Sequence, residues 1–110
     1  MYKITKLNLG QKRLILVQLR SNEYVNYSKL YKDIYDVDFY KFITSNDYIK
    51  NVLENFHNIS ITNNFSFENH DSFRVINGNI YGSPYLMYTL LTYFKSDFNF
   101  QLANLFFDYW

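Results

Sequence analysis

The stretch from residue 73 to residue 84 reads Phe73-Arg74-Val75-Ile76-Asn77-Gly78-Asn79-Ile80-Tyr81-Gly82-Ser83-Pro84, a hairpin followed at once by a helix start. Asn77-Gly78 supplies the two positive-φ positions of a type I′ turn. It lies between Phe73 to Ile76 and Asn79 to Tyr81, which read as strands, so a two-stranded ribbon is expected to project here. Ser83 stands as N-cap with Pro84 at the first helical position, where no intrahelical partner exists for the missing N–H. Leu86, Met87, Leu90, Leu91 and Phe94 give the following helix a broad apolar face. Ser96-Asp97 caps a closing helix with Phe98, Leu102, Leu105, Phe106 and Tyr109 inward, and the two helices are expected to pair antiparallel.

Toward the N-terminus, Tyr2 to Leu9 alternates in part and Gly10 offers a turn. Arg13 to Arg20 carries Leu14-Ile15-Leu16-Val17, an apolar run suited to a strand covered on both faces. These two strands should pair. Glu23-Tyr24-Val25 reads as a short third strand ending at Asn26, a good N-cap. From Tyr27 the spacing becomes helical, with Tyr27, Leu30, Tyr31 and Ile34 on one stripe. Asp36-Val37-Asp38 is a tight connection in which either Asp can cap a second helix. Its apolar positions are Phe39, Phe42, Ile43, Ile49, Val52, Leu53 and Phe56, with a slip near Ser45-Asn46 that fits one helix or two short ones. Short helix, turn and second helix make a helix-turn-helix candidate. Ile59, Ile61, Phe65 and Phe67 keep period two, as a strand or an extended loop, and Glu68 to Ser72 is a turn cluster. The fold class is therefore α+β in one domain, residues 1–110: a small antiparallel sheet with a helix-turn-helix, a β-hairpin wing and two C-terminal helices.

Composition excludes several chemistries. The chain has no cysteine, which removes a disulfide framework, a Cys-based zinc site and a thiol nucleophile. His57 and His70 lie without metal-ligand spacing, no serine sits in a nucleophile elbow, and Gly10, Gly78 and Gly82 are turn glycines rather than a phosphate-cradling loop. The expectation is no enzyme, no cofactor and no metal. The absence of cysteine points to an intracellular protein. No apolar run approaches the roughly 18 residues of a spanning helix and the N-terminus has no h-region or small-residue cleavage site, so a soluble, unprocessed chain without a membrane partner is expected. The 14 Asn, 12 Tyr and 11 Phe beside one Ala point to AT-rich coding. In a chain so poor in alanine, the tyrosines are expected mainly in the core.

Net charge is +1, unevenly spread: residues 1–32 hold seven Lys/Arg against Glu23 alone, the remainder four against nine carboxylates. That distribution allows a basic face. In a helix-turn-helix the second helix offers its first residues to base edges, here Tyr40, Lys41, Thr44, Ser45 and Asn46. Asn46 reads equally well as an adenine contact or a local helix breaker. Arg74, Asn77 and Asn79 would project from the ribbon toward phosphates or the minor groove. Lys29, Lys32, Lys50 and Arg13 are available for backbone neutralisation.

The order of these blocks resembles a known family. Tyr24-Val25-Asn26-Tyr27-Ser28-Lys29-Leu30 resembles the "YVNATKL" opening of the KilA-N domain. Phe39 to Ile43 resembles its "F-x-x-W-L" segment, with Phe42 in the aromatic position, and Gly78 to Leu86 its "G-x-Y-V-H-P-x-L" block. Asp97-Phe98 with Leu102 and Trp110 is similar to the closing helix. The likeness spans residues 24–110, and it departs at Glu23 for the family's Gly, at Ser83 for its His and at Phe42 for its Trp. It implies a double-stranded-DNA-binding domain of large DNA viruses and phages, similar in fold to the DNA-binding domains of fungal cell-cycle transcription factors. A poxvirus-like source would place it in the host cytoplasm at sites of viral replication. In poxviruses such domains often precede a zinc RING finger, for which these residues hold no cysteine. The alternative function is a viral protein-interaction or dimerisation module with little DNA affinity, whose aromatic closing helix, with Phe100, Phe107 and Trp110, exceeds what a monomer can bury. A third is single-strand binding through exposed tyrosines.

Overall fold

Leu14 and Leu16 are buried while Arg13 before them and Ile15 between them are exposed, so the first half of the second strand has one covered face. The computed structural model describes residues 1–9, 12–92 and 97–109. Strands β1 (Tyr2–Leu9) and β2 (Lys12–Leu19) pair antiparallel from Tyr2↔Leu19 to Leu9↔Lys12. The expectation that β2 is covered on both faces holds at its end, where the successive residues Gln18 and Leu19 are both buried, and is corrected for its first half, where Ile15 is 41% exposed. The turn expected at Gly10 lies outside the described residues.

Strand β3 is shorter than the sequence suggested, Val25–Asn26. Glu23, expected in it, instead adopts φ 63°, a left-handed conformation rare outside glycine. Its N–H donates to the Leu19 carbonyl, so the chain turns before it can extend. Its carboxylate accepts the Tyr109 hydroxyl, and burial together with that carboxylate pushes Tyr109 up to about 12. β3 pairs with β2 through Gln18↔Val25 and with β5 (Asn79–Gly82) through Val25↔Gly82 and Asn26↔Tyr81. β5 in turn pairs with β4 (Phe73–Ile76), which completes a five-stranded antiparallel sheet in the order β1-β2-β3-β5-β4.

Asn77 at φ 51° and Gly78 at φ 79° make the turn expected of them. The ribbon does not stand free, however. Ile80, Tyr81 and Gly82 are all buried, so β5 has no face to give to solvent and docks inside the sheet. The Ser28 hydroxyl oxygen accepts the Ile80 N–H at 2.8 Å and ties it to the first helix.

Helix α1 (Tyr27–Tyr35) begins where Asn26 Oδ1 accepts the Lys29 N–H at 3.0 Å and ends at Asp36 with φ 53°. Asp38 caps α2 (Phe39–Ser45) through the Lys41 N–H at 2.9 Å. Asn46 ends α2 and caps α3 (Asp47–His57), accepting the Ile49 N–H at 3.0 Å, so the slip in the stripe is a break between two helices. The residues from Ile59 to Phe65 form no strand; a 3₁₀ turn follows at Phe67–Asn69. Period two here reflects a loop that turns at Asn63-Asn64 and buries Ile59 before that turn and Phe67 at the start of the 3₁₀ turn. Ser83 and Pro84 start a 3₁₀ turn, Pro84–Leu86, that runs into α4 (Met87–Thr92). α5 (Asp97–Leu105) packs on α4, and Asn99 Nδ2 donates to the Leu91 carbonyl at 2.7 Å. Phe94, Ser96 and Trp110 lie outside the described residues. Leu105 and Phe56, expected inward, are exposed.

Leu14, Leu16 and Val25 of the sheet meet Tyr27, Leu30, Tyr31, Phe39, Ile43, Ile49 and Leu53 of the first three helices. The tyrosines divide rather than fill this core. Tyr27, Tyr31 and Tyr81 are buried, while Tyr40, Tyr48, Tyr85 and Tyr88 are exposed. Burial raises Tyr27 and Tyr31 well above the usual phenol range. Both therefore stay neutral donors, Tyr27 to the Ser83 carbonyl at 2.9 Å and Tyr31 to the Leu90 carbonyl at 3.0 Å.

Candidate nucleic-acid interface

The connection Asp36-Val37-Asp38 reverses the chain between α1 and α2 in three residues, and it sits beside the tip of the β4–β5 hairpin. Between them lies a cleft of about 350 Å³ lined by Ser28, Lys32, Val37, Asp38, Phe39, Tyr40, Gly78, Asn79 and Ile80. Three expected contact residues, Lys32, Tyr40 and Asn79, thus meet in one place. Lys29 precedes Lys32 by one turn of α1, Lys41 follows Tyr40, and Asn77 forms the adjacent hairpin tip. Tyr40 leans its ring edge-on to Phe67 at 5.8 Å and keeps its other side in solvent.

The other candidates are placed elsewhere. Arg74 pairs with Tyr81 away from the hairpin tip, donates to the carbonyls of Asp71 at 3.2 Å and Phe73 at 2.7 Å, and lies over the Tyr24 ring at 5.5 Å. It is folded onto its own strand rather than extended. Lys50 sits on α3. Thr44 Oγ1 donates to the Tyr40 carbonyl at 2.8 Å, the Ser45 hydroxyl donates to the Lys41 carbonyl, and Asn46 Oδ1 is occupied as a cap. Of the two readings of Asn46, helix breaker is the one seen. Its amide oxygen is turned to the start of α3 and away from the bidentate use a base would need.

Electrostatics divides the lysines. Lys29 pairs with Asp33 at 2.6 Å, Lys32 with Asp36 at 2.5 Å and Lys50 with Asp47 at 3.3 Å. The Lys32–Asp36 hydrogen bond raises the lysine and lowers the carboxyl. Two of these pairs are i,i+4 pairs, a spacing already present in the sequence, and they neutralise lysines expected to be free for phosphates. Such exposed pairs are weak and exchangeable, so a phosphate can displace the carboxylate. Lys41 has no ion pair among the described residues. The uncompensated basic element is the β1–β2 hairpin. Lys3, Lys6, Lys12, Arg13 and Arg20 lie on or beside it with no carboxylate before Glu23.

A second, apolar groove of about 550 Å³ separates α3 from α4, lined by Tyr48, Val52, Phe56, His57, Tyr85, Tyr88, Thr89 and Tyr109. His57 Nε2 and Thr89 Oγ1 are 2.8 Å apart at its side, and burial lowers the His57 pKa from its ordinary value of 6.5. The unfolded chain therefore takes up this proton at higher pH than the folded one. Stability is full above the ordinary histidine range and declines as pH falls through 6.5 toward the depressed folded value. A Tm measured at pH 7.5 should exceed that at pH 5, and His57→Gln should shrink the difference. An unchanged difference would assign the pH response to other groups.

Among the described residues no group of three or more His, Asp or Glu is placed to hold a metal ion, and no helix is long and apolar enough to cross a membrane. Compared with protein-family models, curated proteins and solved structures, the chain gives no match.

Proposed function

We propose that this domain binds double-stranded DNA without catalysing a reaction, as its resemblance to the KilA-N domain implies. The observation that carries the reading is the cleft in which Lys32 and Tyr40 of the α1–α2 unit meet Asn79 of the hairpin tip. In this reading the helix pair and the hairpin tip act together, and Lys29, Lys41 and Asn77, neighbours in sequence of the lining residues Ser28, Tyr40 and Gly78, add to the contact. The β1–β2 hairpin adds an uncompensated set of cations for phosphates. Glu23 supports the family likeness, because the residue standing where the family has glycine adopts the left-handed φ that glycine favours. A viral source and action at viral replication sites in the host cytoplasm belong to the same reading.

Titration of a labelled duplex across a salt series tests it. Affinity should fall steeply with salt, and Lys32→Ala and Lys41→Ala should each reduce the salt slope by about one. Absence of binding at low salt, or binding indifferent to salt, refutes the proposal.

One observation favours a protein-interaction module instead. Phe100 is 74% and Phe107 69% exposed at the C-terminal end, close to exposed Leu105. A strictly monomeric chain at high concentration in light scattering would remove the homodimer version of that reading.

A further inference from the structure

β1 is a terminal strand of the sheet, so half of its backbone polar groups face no neighbouring strand. One bond identifies which half. The Arg20 N–H donates to the Met1 carbonyl at 3.0 Å, and the register places Tyr2 opposite Leu19. In that register the odd residues of β1 exchange bonds with β2, while Tyr2, Ile4, Lys6 and Asn8 turn N–H and C=O to the open side. Both ends of this edge are already closed by side chains. Arg20 Nε donates to the Tyr2 carbonyl at 3.0 Å, and Gln101 Nε2 donates to the Asn8 carbonyl at 3.2 Å. Between them the backbone groups of Ile4 and Lys6 have no partner among the described residues. That gap accommodates about four residues of extended chain.

The side chains beside the gap choose its occupant. Lys3 and Lys6 are exposed on opposite faces, Ile4 is 60% exposed, and the whole hairpin is free of carboxylates. A second copy of β1 would bring a second carboxylate-free set of cations beside this one, the like-charge situation by which edge strands resist self-pairing. An acidic strand meets the reverse situation, since opposite charges on adjacent strands attract. We infer that the β1 edge accepts an extended acidic segment of a partner protein as a sixth, antiparallel strand. Carboxylates lie opposite Lys6 and Lys3 and an apolar side chain opposite Ile4, which defines an acid-x-apolar-acid pattern. Backbone bonds supply affinity and the side chains set the register. The inference is independent of the DNA reading, because duplex DNA would use the cations but not the backbone edge.

The test is fluorescence anisotropy of a fluorescein-labelled peptide Thr-Glu-Thr-Val-Glu-Thr titrated with the full chain at low salt. In the inferred register the valine N–H donates to the Ile4 carbonyl, whereas the N–H of the central threonine points away. Methylation of the valine nitrogen should weaken binding by about tenfold, and methylation of the central threonine nitrogen by less than about twofold. The Lys3→Glu/Lys6→Glu chain should lose about tenfold and regain it with lysines at the two acidic peptide positions. Ile4→Pro removes only an outward-facing N–H, which an edge strand tolerates, and should also weaken binding. Absence of binding by the unmodified peptide overturns the inference. So does equal sensitivity to the two methylations, since charge alone would then explain the association.

Discussion

Phe39→Ala is expected to lower the unfolding free energy by about 3–5 kcal/mol, a large share of the roughly 5–15 kcal/mol that a domain has. The Phe39 ring is 2% exposed and lies among Tyr27 at 5.3 Å, Tyr31 at 5.0 Å and Phe67 at 6.3 Å. Those neighbours belong to α1 and to the turn before β4, and two of them, Tyr27 and Tyr31, are held by hydroxyl bonds to the Ser83 and Leu90 carbonyls. They cannot collapse into the vacated space without giving up those bonds, so a cavity persists. Urea denaturation measures the loss. Phe56→Ala is the control: that ring is 78% exposed, and the change should stay within about 0.5 kcal/mol. Similar losses for the two variants would contradict the assignment of Phe39 to the centre of the core.

Gly82→Ala is expected to be the most damaging single-methyl addition, costing about 2–3 kcal/mol. A Cβ on Gly82 would lie 2.7 Å and 2.8 Å from two ring carbons of Tyr27 and 3.1 Å from Phe73. The Tyr27 ring has nowhere to retreat, stacked on Phe39 at an interplanar angle of 14° and bonded through its hydroxyl to Ser83. The clash is steric, so removing ring atoms should relieve it. In Tyr27→Leu the added methyl should cost clearly less than in the native background, and the double-mutant cycle should show coupling of about 1 kcal/mol or more. Strict additivity would locate the damage elsewhere.

What the sequence disclosed and what it hid follow from how local each determinant is. Asn77-Gly78, Asn26, Asp38 and Ser83 act within a few residues of themselves, and each performs its expected turn or cap. Leu14 to Val17 has no such local answer. An apolar run does not say how many of its faces a distant helix will cover, and Ile15 was left in water. The same holds for Asn79-Ile80-Tyr81, where a hairpin signal defined the strands but not their docking against β3. At the candidate interface, residue type drew attention to Lys29 and Lys32, whereas their i,i+4 carboxylates already stated their pairing. The convergence of Lys32, Tyr40 and Asn79 required the fold, because Asn79 reaches the other two only when β5 joins the sheet.

The two-residue length of β3 has a kinetic consequence. β1 pairs with β2 and β2 with β3 over short sequence separations, and β4 and β5 are joined by a tight turn, so both parts form by closing small loops. Only Val25↔Gly82 and Asn26↔Tyr81 join them within the sheet, across more than fifty intervening residues. The entropy of that long closure falls on a splice too short to repay it with ladder bonds alone. Folding speed is therefore governed by how early the side chains around the splice, Tyr27 above all, come together, and substitutions there should slow refolding more than they hasten unfolding.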